Sequence, residues 1–298
     1  MTANVTGENA MPRILDFHSH WGTERGYPFR TPAEFAHQER VWKKPVSYVT
    51  EQQMAEYFSS HGVRAMLDLG FTKYLGIGAA RAFHDYALDV ARTYPAQILG
   101  NWLQIDPRTG PDGLNEFRRC IDASSGLTGL CVSGAALRLA ADDALFDPFY
   151  KLSIEAGAPV LILVGYTALG AGLPGGQGVI LDLCHPRYLD AVAAKYPELT
   201  IIAGRPAWPW QDDMIAVLLH KPNVWYELHG WSPKYFSDAL KKEIGGRLQD
   251  RILFGADYPL LTYERLVADW NALGYPADVL DKVLVRNGEA LLERLRKR

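Results

Sequence analysis

Cysteine is scarce. Cys120, Cys131 and Cys184 are the only three, an odd number without CxxC spacing, which argues against a disulfide framework. No apolar run reaches the ~18 residues of a membrane span. The opening MTANVTGENAMPR has neither the basic nor the apolar segment of a secretory leader, so a soluble, cytoplasmic protein is expected. Basic charge is not in excess, with 31 Lys and Arg against 34 Asp and Glu and a net charge of −3. Neither nucleic acid nor a membrane is therefore expected as a partner. The first strand-like run is followed by HSHWGTERG and not by a dinucleotide-binding GxGxxG turn. No G-x-S-x-G elbow is present, and the cysteines lack a motif context, which leaves covalent nucleophilic catalysis little support.

The 298 residues are 48% hydrophobic and 22% charged, enough apolar material for a large core. Short runs rich in Val, Ile and Leu at 13–18, 64–69, 97–103, 127–133, 159–164, 199–204, 223–229 and 251–256 read as strands buried on both faces. Helical patterns alternate with them near 79–94, 111–124, 146–157, 187–197, 211–220, 233–247 and 262–273, with a helical tail at 276–296. Before the second strand, Thr50 and Gln53 make a capping box for EQQMAEYFSS, and Gly62 stands where that helix should stop. Strict alternation over this length predicts a single-domain (β/α)8 TIM barrel over 13–298, behind a flexible tail at 1–12. Two insertions should cover the mouth. One, at 21–49, follows the first strand as a lid-like segment; the other, at 165–178, is Gly-rich, and without a GK[ST] ending it reads as a lid and not a phosphate loop.

The strongest chemical signal is Asp16-Phe17-His18-Ser19-His20 at the end of the first strand. Residues two apart on a strand share a face, so Asp16, His18 and His20 are placed in one barrel mouth. Two imidazoles at that spacing can chelate a divalent metal; the plainer reading is a pair of surface histidines.

This HxH, together with Gly255-Ala256-Asp257-Tyr258-Pro259 at the eighth strand, resembles the amidohydrolase-related family of metal-dependent barrels. That family holds hydrolases and nonoxidative decarboxylases of the aminocarboxymuconate-semialdehyde type. The likeness is densest in GLPGGQG, IIAGRPAWPWQDD, HKPNVWYELHGWSPKYF and RILFGADYPLL. It implies His18, His20 and Asp257 as metal ligands, with Asp257 also the catalytic group. It equally exposes departures: Leu163 stands where the fifth strand usually ends in a histidine, Arg205 where the sixth offers another, and Cys131 where two-metal members carry a lysine. Leucine cannot ligate and a guanidinium has no lone pair to give. Cys131 reads as an inert buried thiol. Arg205 is expected to pair with Asp257 or to clamp a substrate carboxylate. His185, Glu227 and His229 each remain open as the residue that completes a mononuclear site, beside a structural role for each histidine. Trp208, Trp210, Trp225 and Trp231 read as core and interface aromatics.

Three altered ligand positions in one mouth lead to the expectation of at most one divalent metal, zinc or iron. The chain would then be the companion subunit of a homologous, metal-competent amidohydrolase-type partner. The sequence is also similar to accessory subunits of two-component hydroxylases acting on 2-aminoisobutyrate. The alternative is a stand-alone mononuclear metal-dependent hydrolase or nonoxidative decarboxylase of a small carboxylate substrate, working alone or as a homo-oligomer.

Overall fold

Eight strands pair in chain order, each parallel to the next, in the computed structural model of the chain, which describes residues 14–297. The tail expected at 1–12, and Arg13 at the head of the first expected strand, lie outside these residues. The strands are β1 (Ile14–His20), β2 (Val63–Asp68), β3 (Ile98–Leu103), β4 (Leu127–Val132), β5 (Val160–Leu163), β6 (Ile201–Gly204), β7 (Val224–Glu227) and β8 (Ile252–Leu253). The ring closes where Asp16 bridges Phe254 and the Phe17 N–H donates to the Phe254 carbonyl at 2.8 Å. The result is the expected TIM barrel.

Helices separate the strands: α1 (Pro32–Trp42), α2 (Glu51–Ser60), α3 (Ile77–Thr93), α4 (Pro111–Ala123), α5 (Gly134–Leu137), α6 (Asp147–Glu155), α7 (Pro186–Lys195), α8 (Gln211–His220), α9 (Asp238–Ile244) and α10 (Tyr263–Asn271). The expected terminal helix is α11 (Ala277–Asp281) and α12 (Asn287–Arg296), joined by a π turn over Lys282–Arg286. Period-two alternation sorts the core. Leu15, Phe17, Met66, Trp102, Leu161 and Ile202 fill the barrel, and Leu291 and Leu295 of α12 join that cluster. Ile14, Ala65, Leu67, Val160, Ile162 and Ile201 belong instead to the larger cluster shared with the helices.

The capping box at Thr50 and Gln53 forms on α2 as expected. A second one, Thr31 with Glu34 and Pro32 in the first turn, starts α1 inside the 21–49 insertion, where no helix was expected. At β3 the barrel wall is too close for any side chain at 100. A Cβ on Gly100 would lie 1.7 Å from the Leu127 carbonyl oxygen, a backbone atom fixed by the β3–β4 pairing. Gly100→Ala should cost about 3 kcal/mol. Chemical denaturation would show this as a lowered midpoint at unchanged slope.

Candidate metal centre

Backbone pairing between β1 and the segment after β8 assembles the site. The His18 carbonyl accepts the Asp257 N–H at 2.9 Å, and the His20 N–H donates to the Tyr258 carbonyl at 2.6 Å. The expected face-sharing of Asp16 with the two histidines does not occur. The β1–β2 register shifts between Asp16 and Ser19, so period two breaks there. Asp16 turns instead to Tyr263 of α10 and accepts its hydroxyl at 2.6 Å; it also accepts the backbone N–H groups of His18 at 2.9 Å and Ala256 at 3.2 Å. With Ser19, whose hydroxyl takes the Tyr258 N–H at 3.1 Å, it replaces ladder partners and stops β8 at Leu253, short of the expected 256. Asp257 follows in the left-handed region at φ 64°.

His18, His20 and Asp257 each place one potential ligand atom within 4.8 Å of the others. His20 Nε2 lies 3.1 Å from Asp257 Oδ1, and His18 Nε2 lies 3.8 Å from Asp68 Oδ2. Burial, reinforced by the charges of His229, His20 and Arg205, pushes the His18 pKa well below the usual imidazole range, so its lone pair is available. For His20 burial acts in the same sense, but the hydrogen bond and charge of Asp257 outweigh it and raise the pKa. Burial would raise Asp257; His20, His229 and Arg205 reverse that and hold the carboxyl below its ordinary value.

The residues fit a divalent cation. Two imidazoles and a carboxylate are a hard-to-borderline donor set suited to zinc, iron or manganese. Buried His18 Nδ1, His20 Nδ1 and Asp68 Oδ1 have no hydrogen-bond partner among the described residues. A second set, His18 with Glu227 and His229, shares one histidine with the first. A third, His84, Glu116 and Cys120 between α3 and α4, is a structural ion-pair node. Glu116 is already held by Arg81 at 2.9 Å and Arg119 at 2.7 Å, two fixed cations that a metal would have to displace.

Leu163 lies on the cavity wall and packs with the barrel interior. Cys131 is buried there too, and burial pushes its thiol well above the ordinary range. His185 stands apart from these clusters: its Nδ1 caps α7 by accepting the Arg187 N–H at 3.1 Å. Arg205 lines the cavity half-buried, with φ 75°. The pairing with Asp257 offered as one of its roles is not formed as a contact; the guanidinium makes no hydrogen bond or ion pair within the described residues.

Above the cluster lies a cavity of about 600 Å³. Both insertions border it, as expected of lids. From 21–49 come Phe29, Glu34, His37 and Trp42, and from 165–178 come Tyr166 and Leu173. His37 Nε2 lies 2.9 Å from the Ala168 carbonyl, which ties α1 to the Gly-rich loop across the mouth. Trp231 also lines the cavity, Trp225 is buried in the barrel interior, and Trp208 is 49% exposed.

Sequence reasoning missed Asp68, Lys73 and Gln104. Each lies near the carboxyl end of β2 or β3, where a barrel builds its site, and a polar residue closing an apolar run was the signal. Gln104 donates to Asp68 Oδ2 at 2.6 Å, and Lys73 donates to the Gly70 carbonyl. Desolvation, opposed by the Asp68 charge, pushes the Lys73 pKa down to about 8.

With this geometry in place, the amidohydrolase family pattern matches residues 16–294. The chain belongs to the amidohydrolase family. Comparison with curated protein sequences gives no match. Among solved structures, an uncharacterized TIM-barrel protein of Bordetella bronchiseptica superposes with a TM-score of 0.72 at 20% identity, over 95% of this chain and 99% of that one. 2,6-Dihydroxybenzoate decarboxylase from Rhizobium gives 0.66 at 14% identity, over 94% and 98%. 5-Carboxyvanillate decarboxylase from Novosphingobium aromaticivorans, complexed with manganese and 4-hydroxy-3-methoxy-5-nitrobenzoic acid, gives 0.67 at 14% identity, over 94% and 96%. At these identities the likeness establishes the fold. The family pattern thus makes this barrel an amidohydrolase-family one, and no membrane-crossing helix occurs among its described residues.

Proposed function

We propose that this amidohydrolase-family chain is a stand-alone, mononuclear metal-dependent enzyme that decarboxylates a small carboxylic acid without an oxidant. The observation that carries the reading is the meeting of two features in one cavity: the His18–His20–Asp257 cluster and the Arg205 guanidinium, whose charge acts on Asp257 and Asp68. Hydrolysis of a carboxylate-bearing substrate would use the same two features. The relationship to decarboxylases whose folds match along nearly the whole chain favours this reading over the companion subunit expected from the lost ligands.

His18, His20 and Asp257 would hold one divalent ion, which when bound supplies positive charge to anchor the substrate and to stabilise electron density left as a C–C bond breaks. Arg205 can take a substrate carboxylate through two parallel N–H···O bonds. Phe29, Trp42 and Trp231 offer aromatic faces to an unsaturated or aromatic body, and α1 screens it from water. As carbon dioxide leaves, the bonding pair remains on carbon and needs a proton. Asp257 has two carboxylate oxygens, and the one that does not ligate would carry that proton.

Purified alone and supplied with manganese or zinc, the protein should release carbon dioxide from aromatic or unsaturated carboxylic acids. Turnover seen only after co-expression with a homologous subunit would restore the companion reading. Lys73 adds a pH dependence. Its ammonium borders the cavity, and charge is lost as pH rises through about 8. The KM for an anionic substrate should therefore climb above that pH, and Lys73→Met should raise KM at pH 7 and flatten the climb.

A further inference from the structure

We infer that the acid taken by this site carries a two-ring aromatic body, seated in an apolar chamber between α1 and the 165–178 loop, and that Trp42 and Leu173 select for it. The inference rests on the carboxylate-binding reaction proposed above and deepens it by naming the body of the substrate.

The cavity is too large for one ring. It holds about 600 Å³. Even at the ~30 Å³ that a water molecule takes in the liquid, the about nine non-hydrogen atoms of a benzoate fill on the order of 270 Å³, under half of it. A biphenyl carboxylate, with about fifteen, fills roughly three quarters.

Its polarity is divided between two ends. His18, His20, Asp68, Lys73, Gln104 and Arg205 make the polar end. Glu34, His37 and Thr167, which α1 and the loop bring to the same cavity, are already bound within the protein. Glu34 accepts the Arg30 and Thr31 N–H groups at 2.9 and 2.8 Å. His37 Nε2 lies 2.9 Å from the Ala168 carbonyl, and its Nδ1 lies 2.8 Å from Arg40 Nη2. The Thr167 hydroxyl accepts the Leu169 N–H at 3.2 Å. What remains on that side for a ligand is apolar: Phe29, Val41, Trp42, Tyr166, Leu173 and Trp231. A carboxylate therefore belongs at one end and a hydrocarbon body at the other.

The apolar wall is also left open. All six of those residues are only half-buried. Phe29 and Trp42 stand with ring centroids 5.7 Å apart, and Tyr166 and Trp231 meet edge to face at 6.1 Å. The wall continues to the rim, where Tyr74 is 55% and Leu169 36% exposed. Contiguous exposed apolar surface of this kind marks a binding groove. A single ring leaves most of it wet; a second ring covers it.

The test reads binding to the purified, zinc-supplied full chain by isothermal titration calorimetry, with benzoate, 2-naphthoate and biphenyl-4-carboxylate as probes. Biphenyl-4-carboxylate is expected to bind roughly 30-fold more tightly than benzoate, with 2-naphthoate between them. Trp42→Ala should weaken the biphenyl acid roughly 10-fold and benzoate less than about 2-fold. Leu173→Trp, which fills the chamber, should do the same or more, and it decides the matter if Trp42→Ala does not fold. Equal affinities across the three acids in the wild type would overturn the inference and leave the reaction proposed above standing. A biphenyl preference that survives both substitutions is adhesion elsewhere and would overturn it too. Affinities that keep the size order but ignore Arg205→Ala would instead overturn the carboxylate reading on which it rests.

Discussion

Replacing His18 and His20 together with alanine is expected to strip the metal from the protein and abolish turnover, while the barrel remains folded. Both imidazoles sit on the cavity floor, and burial holds His18 neutral and ready to ligate. Loss of a residue that merely orients a ligand costs 10–100-fold in affinity, so removing two ligands outright should cost roughly 1,000-fold or more. The fold does not depend on these side chains. The β1 closure runs through the Phe17 and Phe254 backbones and through Asp16, none of which the change touches. Elemental analysis beside circular dichroism checks the result: metal near zero with an unchanged spectrum. Retention of a full metal equivalent by the double variant would remove the site from the account.

Arg205→Ala should lower kcat/KM for a carboxylate substrate by roughly 100- to 10,000-fold, chiefly through KM. Two charge-assisted hydrogen bonds at ~1.5–3 kcal/mol each set that scale. Arg205→Lys should recover part of the loss, because an ammonium keeps the charge and forfeits the planar fork. Both variants should keep the wild-type metal content, since a guanidinium has no lone pair to ligate with. Steady-state kinetics on the two variants separates binding from chemistry. An unchanged KM in Arg205→Ala would place the substrate carboxylate elsewhere in the cavity.

Much of this was legible before the fold. Eight buried strands alternating with helices specified the barrel because both faces of a parallel strand are covered, and that leaves near-continuous apolar runs. HxH and GADYP pointed to the three residues whose potential ligand atoms come together in the mouth. What escaped has physical reasons. The bulge in β1 that turns Asp16 to Tyr263 is invisible to a period-two reading, which counts residues and not register. Helix α1 escaped because the insertion was read by its aromatics and prolines, although Thr31-Pro32-Ala33-Glu34 carried the same capping box recognised at Thr50. Asp68 and Lys73 escaped because their roles depend on the approach of strands far apart in sequence. Glu227 and His229 were noticed but not ranked above His185. Only the structure shows one histidine capping a helix and the other stacked on His18.

One chain, alone, should hold one divalent metal at His18, His20 and Asp257. Anomalous scattering from crystals of the separately purified, manganese- or zinc-loaded protein tests it most directly. A single strong peak is expected in the barrel mouth, within ~2.3 Å of side-chain atoms of all three residues. A bridged pair of peaks there, or a peak only at His84, Glu116 and Cys120, would contradict it.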